Sequence, residues 1–449
     1  MAPMRGKDDL ACGMAFGCVA RPPADAYFHA ALPGSRWRAK PHAAGSSEQM
    51  EMNKPVLNPS VFGGRKVIDV DTHLTEPHDL WTKRAPARLK DRVPQVKVHQ
   101  GVRSWVIDGD KVLLEKAIPS CTVKTDGSKW PGLEFLNHQF EEVHPASYSI
   151  PERLDMMDAT GISAQILYPN ILGFGGQHAV RVDEELRLAS VTIFNDAMAE
   201  FQAQSGQRIF PMALIPWWDV KLAVTEIERA KRMGLKGINI NSDPHTSTTA
   251  DGTKLPDLST DHWYPMWEAC EALDMPVNFH IGASEQSMDW LGWQGWPGLH
   301  RDLRSALGGA MLFINNGRVM GNLILSGLLD RYSKLKFVSV ESGIGWVPFL
   351  LEAIDWEYQE VAANNAKLRR KPSEYFATNF YACFWFERRD LTRQIRAVGV
   401  DNVLFETDFP HPVCLYPIDD IDAAMSGLSE AEKIKVLSGN AAKVYDISV

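Results

Sequence analysis

From Lys66 onward the chain alternates short apolar runs with helix-period segments, and eight such runs occur before the C-terminus. Short apolar runs separated by helix-length amphipathic stretches are the pattern of parallel βα units. The runs are VIDVD (Val67–Asp71), AQILY (Ala164–Tyr168), IFPMALI (Ile209–Ile215), GININ (Gly237–Asn241), PVNFH (Pro276–His280), KFVSVE (Lys336–Glu341), TNFYA (Thr378–Ala382) and VLFET (Val403–Thr407). Gly161 and Gly234 stand where the helices before the second and fourth runs should stop, because glycine takes the left-handed conformation that ends a helix. Eight strands in βα alternation predict an α/β fold, a closed (β/α)8 TIM barrel, since an open sheet has no reason to stop at that number.

Three stretches break the rhythm. Residues 91–150 read as an insertion after strand one, in which QVKVHQ and SWVIDGDKVLLE flank turn-rich Asp108-Gly109-Asp110 and predict a β-hairpin. Residues 242–262, rich in Thr, Asp, Gly and Pro, form a loop after strand four. Both follow strand carboxyl ends, the face on which barrels build active sites. Residues 1–51, rich in Ala, Gly, Pro and Arg without amphipathic period or signal-peptide core, predict a disordered N-terminal extension ahead of a barrel spanning 52–449.

Acids and histidines recur at the ends of the runs. Asp71 and His73 lie two apart in VIDVDTH, so on an extended strand end both side chains leave one face and can chelate a single ion. Alone, D-x-H is a weak signal, satisfied equally by a loop acid and a surface histidine. His280 closes strand five and Asp408 follows strand eight, so four such residues gather at the carboxyl ends of strands one, five and eight. The set predicts a metal site of Asp71, His73, His280 and Asp408. Mixed imidazole and carboxylate donors suit a divalent ion, with Zn expected first and Mn also accommodated.

Beyond these four, VIDVDTHLTEP, PVNFHIG, KFVSVESGIGWVPFLLE, LFETDFPHP and the late GNAAKVY resemble the amidohydrolase-related family that includes aminocarboxymuconate-semialdehyde decarboxylase. RLDMMDATGISAQILYPN is similar to the same family's segment before and through strand two. The resemblance runs from Val67 to the C-terminus and implies a metal-dependent barrel acting on small, often aromatic-derived carboxylates. Carried over by position, it gives Asp71, His73, His280 and Asp408 metal roles, with Asp71 where many relatives have a histidine. It also implies a catalytic histidine at strand six, where this chain has Glu341.

Glu341 closes an apolar strand ahead of Ser342-Gly343-Ile344-Gly345-Trp346, a turn that lets backbone approach a ligand. It is a candidate acid/base group or further ligand, against a plainer role as a helix-start carboxylate. His178 in GFGGQH and His411 in DFPHP are loop histidines on the same face, each able to replace the missing strand-six histidine. Glu76 is expected to orient the strand-one loop, and Arg153 to cap a helix or form an ion pair. Trp290, Trp293 and Trp296 are expected on a loop after strand five, stacking a planar substrate or packing the loop.

A net charge of -9 and no long basic stripe argue against nucleic-acid binding, and no apolar run of about 20 residues suggests a membrane span. Six scattered cysteines without a C-x-x-C pair fit a reducing, cytoplasmic compartment. The expected function is non-oxidative decarboxylation of a small-molecule carboxylate. The alternative is hydrolysis of a C–N or C–C bond by metal-activated water, with Glu341 as base. A non-catalytic binding barrel would show an eroded ligand set, and this set is complete. By family analogy the chain is expected to form a homodimer or homotetramer.

Overall fold

The computed structural model describes residues 55–117, 120–178, 182–248 and 252–449. The expected N-terminal extension, residues 1–51, lies outside them.

Twelve strands form among the described residues: β1 (Ile68–His73), β2 (Gln95–His99), β3 (Val102–Ile107), β4 (Lys111–Leu114), β5 (Ala164–Tyr168), β6 (Ile209–Pro211), β7 (Ala213–Leu214), β8 (Ile238–Asn239), β9 (Val277–His280), β10 (Phe337–Val340), β11 (Phe380–Phe384) and β12 (Val403–Phe405). One parallel sheet runs β1-β5-β6 and another β12-β11-β10-β9-β8-β7. Each predicted run supplies one strand, except that the third is divided at Met212 into β6 and β7. That residue joins the two sheets: its amide donates to Leu167 O at 2.9 Å, while the next amide, of Ala213, donates to Gly237 O at 3.0 Å. At the other edge Thr72 bridges to Phe409 in parallel, and the Asp408 amide donates to Asp71 O at 2.8 Å.

Helices connect the strands in the expected order, over Ile150–Thr160, Glu184–Gln204, Val220–Met233, Tyr264–Ala272 and Arg301–Leu325, among others. Gly161 and Gly234 end theirs at φ 79° and 92°. The core divides by side of strand. Ile68, Val70, Ile166, Phe210, Met212, Val338, Val340, Cys383 and Leu404 form one apolar cluster with Ala441, Val444 and Tyr445 of the C-terminal helix Asn440–Tyr445. Alternate residues such as Val277, Phe279 and Phe337 join the larger cluster beneath the helices. Strand periodicity of two produces this division, and it leaves the carboxyl ends free to carry polar groups.

The insertion after β1 is more than a hairpin. β2, β3 and β4 form a three-stranded antiparallel sheet, because VRSWVI and KVLL are separate strands on either side of the Asp108-Gly109 turn. Trp105 from β3 is buried edge-on against Trp81, with ring centroids 5.7 Å apart, fastening this sheet to the main core. None of the described helices is long and apolar enough to cross a membrane.

Candidate metal centre

β1 carries a register shift between Asp69 and Thr72 where it pairs with β5. Irregularities of this kind re-aim side chains. Here Asp71 and His73 both reach His280, at the end of β9: His73 Nε2 lies 3.2 Å from His280 Nε2, and Asp71 Oδ1 lies 3.4 Å from the first and 3.6 Å from the second. Asp408 Oδ1 is 3.5 Å from His73 Nε2, and Glu341 Oε2 is 3.4 Å from His280 Nε2.

Two overlapping groups converge, Asp71-His73-His280-Glu341 and His73-Glu341-Asp408-His411, with the donor atoms of each within 4.8 Å of one another. All four predicted ligands are therefore brought together. Of the acid/base candidates, Glu341 and His411 join them. His411 stacks on His73 and sets Nδ1 2.9 Å from Asp408 Oδ1. His178 does not enter either group; its Nδ1 meets Ile171 O at 3.1 Å in the loop after β5.

The chemistry of the donors fits a divalent ion. Both carboxylate oxygens of Asp71 and of Asp408 are buried without a hydrogen-bond donor, an arrangement that is strongly unfavourable unless a cation compensates it. His280 is turned for ligation: its Nδ1 donates to Ile281 O at 2.8 Å, which leaves the Nε2 lone pair facing the cluster. Ligand bonds of about 2.1 Å put neighbouring donors about 3–3.4 Å apart, close to the separations found.

Without a cation the electrostatics are frustrated. Burial, then the charges of Glu341 and Asp71, push Asp408 well above the usual carboxylate range. Burial likewise raises Glu341, and it lowers His73 to about 4. Asp71 moves the other way: burial opposes its ionisation, but His280 and His73 together outweigh burial and hold it low.

Backbone strain marks the same two acids. Glu341 and Asp408 sit at φ 54° and 59°, in the left-handed region that non-glycine residues seldom occupy. Glu341 directly follows β10 and Asp408 lies three residues past the end of β12, and at each the turn in the chain brings the carboxylate into the cluster.

A loop closes over the imidazoles. Phe174 lies with its ring centroid 4.3 Å from that of His280, 5.2 Å from His73 and 5.9 Å from His411. Gly175 permits this approach, since a Cβ there would stand 2.4 Å from Ala283 O and 2.7 Å from Asn241 Cα. Gln177 Nε2 donates to Gly282 O at 2.9 Å, pinning the loop to the segment after β9.

Several supporting residues carried no sequence signal of their role. Glu406 is fully buried and accepts from the Glu341 amide at 3.1 Å. Asp69 accepts from Thr407 N at 2.9 Å and Thr407 Oγ1 at 2.7 Å, tying β1 to the segment before Asp408. Arg153, expected to cap or pair, instead lies fully buried and donates to the carbonyls of Ala146 and His73, the latter at 2.6 Å. Glu76, expected to orient the strand-one loop, instead holds the segment after β5, accepting the amides of Asn170 and Ile171 at 2.8 and 3.1 Å. The tryptophan cluster differs from expectation: Trp290 and Trp293 lie within the helix Glu285–Trp293, and Trp296 is 80% exposed. Ser284 accepts from the Ser287 amide and starts that helix.

The family model described as Amidohydrolase matches residues 68–447, and the chain belongs to that family. It is 28% identical over 310 residues to a gamma-resorcylate decarboxylase of a Polaromonas species, an alignment covering 66% of this chain and 87% of the relative. Among solved structures, it is similar to an amidohydrolase from Mycobacterium avium subsp. paratuberculosis (TM-score 0.68, 24% identity, 85% of this chain and 99% of that one). It is also similar to a dihydroxybenzoic acid decarboxylase from Polaromonas with bound manganese and the inhibitor 2-nitroresorcinol (TM-score 0.51, 22% identity, 85% and 97%). The family resemblance read from the sequence holds, and the fold is of the α/β TIM-barrel type.

Proposed function

We propose that this protein is a metal-dependent, non-oxidative decarboxylase of a small aromatic carboxylate. The observation that carries the reading is the set of four buried, donorless carboxylate oxygens of Asp71 and Asp408 beside the paired Nε2 atoms of His73 and His280. The gamma-resorcylate decarboxylase relative supplies the substrate class.

In this reading Asp71, His73, His280 and Asp408 hold the ion. A divalent metal, when bound, polarises the substrate oxygens it meets. Zn or Mn fits the donors, and the manganese of the Polaromonas structure supports Mn. Glu341 is the proton donor to the ring carbon, and His411 is the acid/base group beside it that exchanges protons through Nδ1. As the bond from that carbon to the carboxylate breaks, its electron pair stays on the ring, takes the proton, and CO2 departs. Phe174 excludes water above the imidazoles, and His178 helps hold its loop.

The same proposal includes closure of the strands into a full (β/α)8 ring, supported by the Thr72–Phe409 bridge, and a single barrel over 52–449 with insertions at 91–150 and 242–262. A homodimer or homotetramer is supported by Phe349 and Trp356, left 77% and 65% exposed on the helix Val347–Glu357. A cytoplasmic location is supported by Cys121, Cys270, Cys383 and Cys414, all free thiols.

The test is CO2 release by metal-loaded protein from a panel of hydroxylated benzoates, beginning with 2,6-dihydroxybenzoate and 5-carboxyvanillate. Incorporation of water oxygen into product without CO2 would instead make Glu341 the base of a hydrolase.

A further inference from the structure

Asn170 lies just past β5, next to the metal centre. Its side-chain amide nitrogen faces two acceptors, Leu74 O at 2.7 Å and Glu76 Oε2 at 3.3 Å. Its backbone amide donates to Glu76 Oε1 at 2.8 Å. Glu76 thus grips the residue twice, and Leu74 fixes which end of the amide is which. The atom left over, Oδ1, can only accept, and it meets His411 Nε2 at 2.8 Å. That ring nitrogen must therefore carry a proton. The other, Nδ1, is turned toward Asp408 Oδ1 at 2.9 Å.

We propose that Asn170, locked by Glu76, is a positioning residue that holds His411 Nε2 as a hydrogen-bond donor and so directs Nδ1 into the carboxylate cluster. A histidine ring can turn over, exchanging Nδ1 with Cδ2 and Nε2 with Cε1, and stacking on His73 does not choose between the two orientations, because the flipped ring stacks as well. Asn170 makes the choice. It leaves Nδ1 as the ring atom through which His411 deals with Asp408 and with anything bound beside it. The inference rests on the reading of His411 as part of the reactive centre, but its geometry does not depend on which substrate is used.

The test is nitrogen–proton correlation NMR on the Zn-loaded full chain with isotopically labelled histidines, the His411 signals being assigned by their loss in His411→Gln. In the wild type Nε2 carries a proton slow to exchange with water. In Asn170→Ala that proton exchanges at least about tenfold faster, or moves to the other nitrogen, whereas Asn170→Asp, whose carboxylate also accepts, retains it. Should Asn170→Ala not fold, Asn170→Ser serves in its place, and the wild-type spectrum decides by itself. An unprotonated Nε2 in the wild type, or a proton equally protected in Asn170→Ala, overturns the proposal. With a substrate in hand, Asn170→Ala lowers kcat about tenfold or more with KM changed less than about threefold; a loss confined to KM also overturns it. Failure to find a substrate leaves the NMR outcome intact, so the two readings fail separately.

Discussion

The imidazoles of His73 and His411 are stacked, their centroids 3.7 Å apart and their planes inclined by 19°. One ring comes from the first strand and the other from the loop after the last, and the Thr72–Phe409 bridge brings them face to face. Two unsaturated nitrogen heterocycles this close, with three carboxylates around them, need positive charge among them, and the first expectations concern that charge.

Metal-free protein should melt at lower temperature than protein saturated with Mn or Zn. At about one hundred times the dissociation constant a bound ion stabilises by about 2.7 kcal/mol. Differential scanning fluorimetry before and after chelation reads this, and an identical melting curve would count against the site.

The same difference should widen with rising pH. Asp408 and Glu341 are held above their ordinary range by burial and like charge in the metal-free protein, so between the unfolded and folded values the folded state binds more protons. Stability of the metal-free form is then present at low pH and lost as pH rises through the folded values. A bound dication displaces those protons, and the loaded form lacks that decline. Urea midpoints at pH 5 and pH 8, with and without metal, compare the two; parallel trends would refute it.

Asp408→Ala should bind less than about a tenth of the metal of the wild type, by elemental analysis after dialysis, and lose activity by about a thousandfold. The substitution removes one of the two buried carboxylates that have no hydrogen-bond donor. Full metal content in this variant would show that Asp408 is not a ligand.

Gly175→Ala should keep its metal yet lose about tenfold or more in kcat. The added methyl would collide with Ala283 O, which is backbone and cannot step aside cheaply, so the loop must lift and carry Phe174 away from His280. Unchanged kinetics would show that the loop's approach to the imidazoles is dispensable.

Away from the centre, Arg318→Ala should destabilise the fold by about 3–5 kcal/mol, the usual cost of stranding a buried charge. Asp243 is buried and paired with Arg318 through two bonds of 2.7 and 2.8 Å, with Ser284 Oγ donating at 2.5 Å. Adding Asp243→Asn should recover part of that loss in chemical denaturation, and a double variant no better than the single one would contradict the pairing.

The strand rhythm and the four metal candidates were legible because both depend on local pattern: a strand is a short apolar run, and a ligand is an acid or histidine at its end. Even AQILY was delimited to the residue. What escaped is set by distant parts of the chain. Arg153 reads as a helix-surface cation, yet its guanidinium finds the His73 carbonyl only after the chain has folded. Asn170 and Glu406 are ordinary polar residues until folding brings His411 to the first and the Glu341 amide to the second. The three-stranded insertion was half seen, since the turn at Asp108-Gly109 was recognised but the earlier one at Gln100-Gly101, both at positive φ, was not. Trp290 reads as a loop residue within DWLGWQGWPG, whereas in the structure it lies in the helix Glu285–Trp293 that Ser284 caps.

The link between β1 and the chain beyond β12 sets a schedule for the cell. Asp69 and Thr407, joined by hydrogen bonds, are 338 residues apart. At roughly 5–20 residues per second, synthesis needs on the order of twenty seconds to a minute to cover that distance. For all of that time the nascent chain displays Asp71 and His73 with no Asp408 to complete their set. Under the ligand set proposed above, metal loading waits until the last strand has been made, and a truncated product lacks one carboxylate of that set.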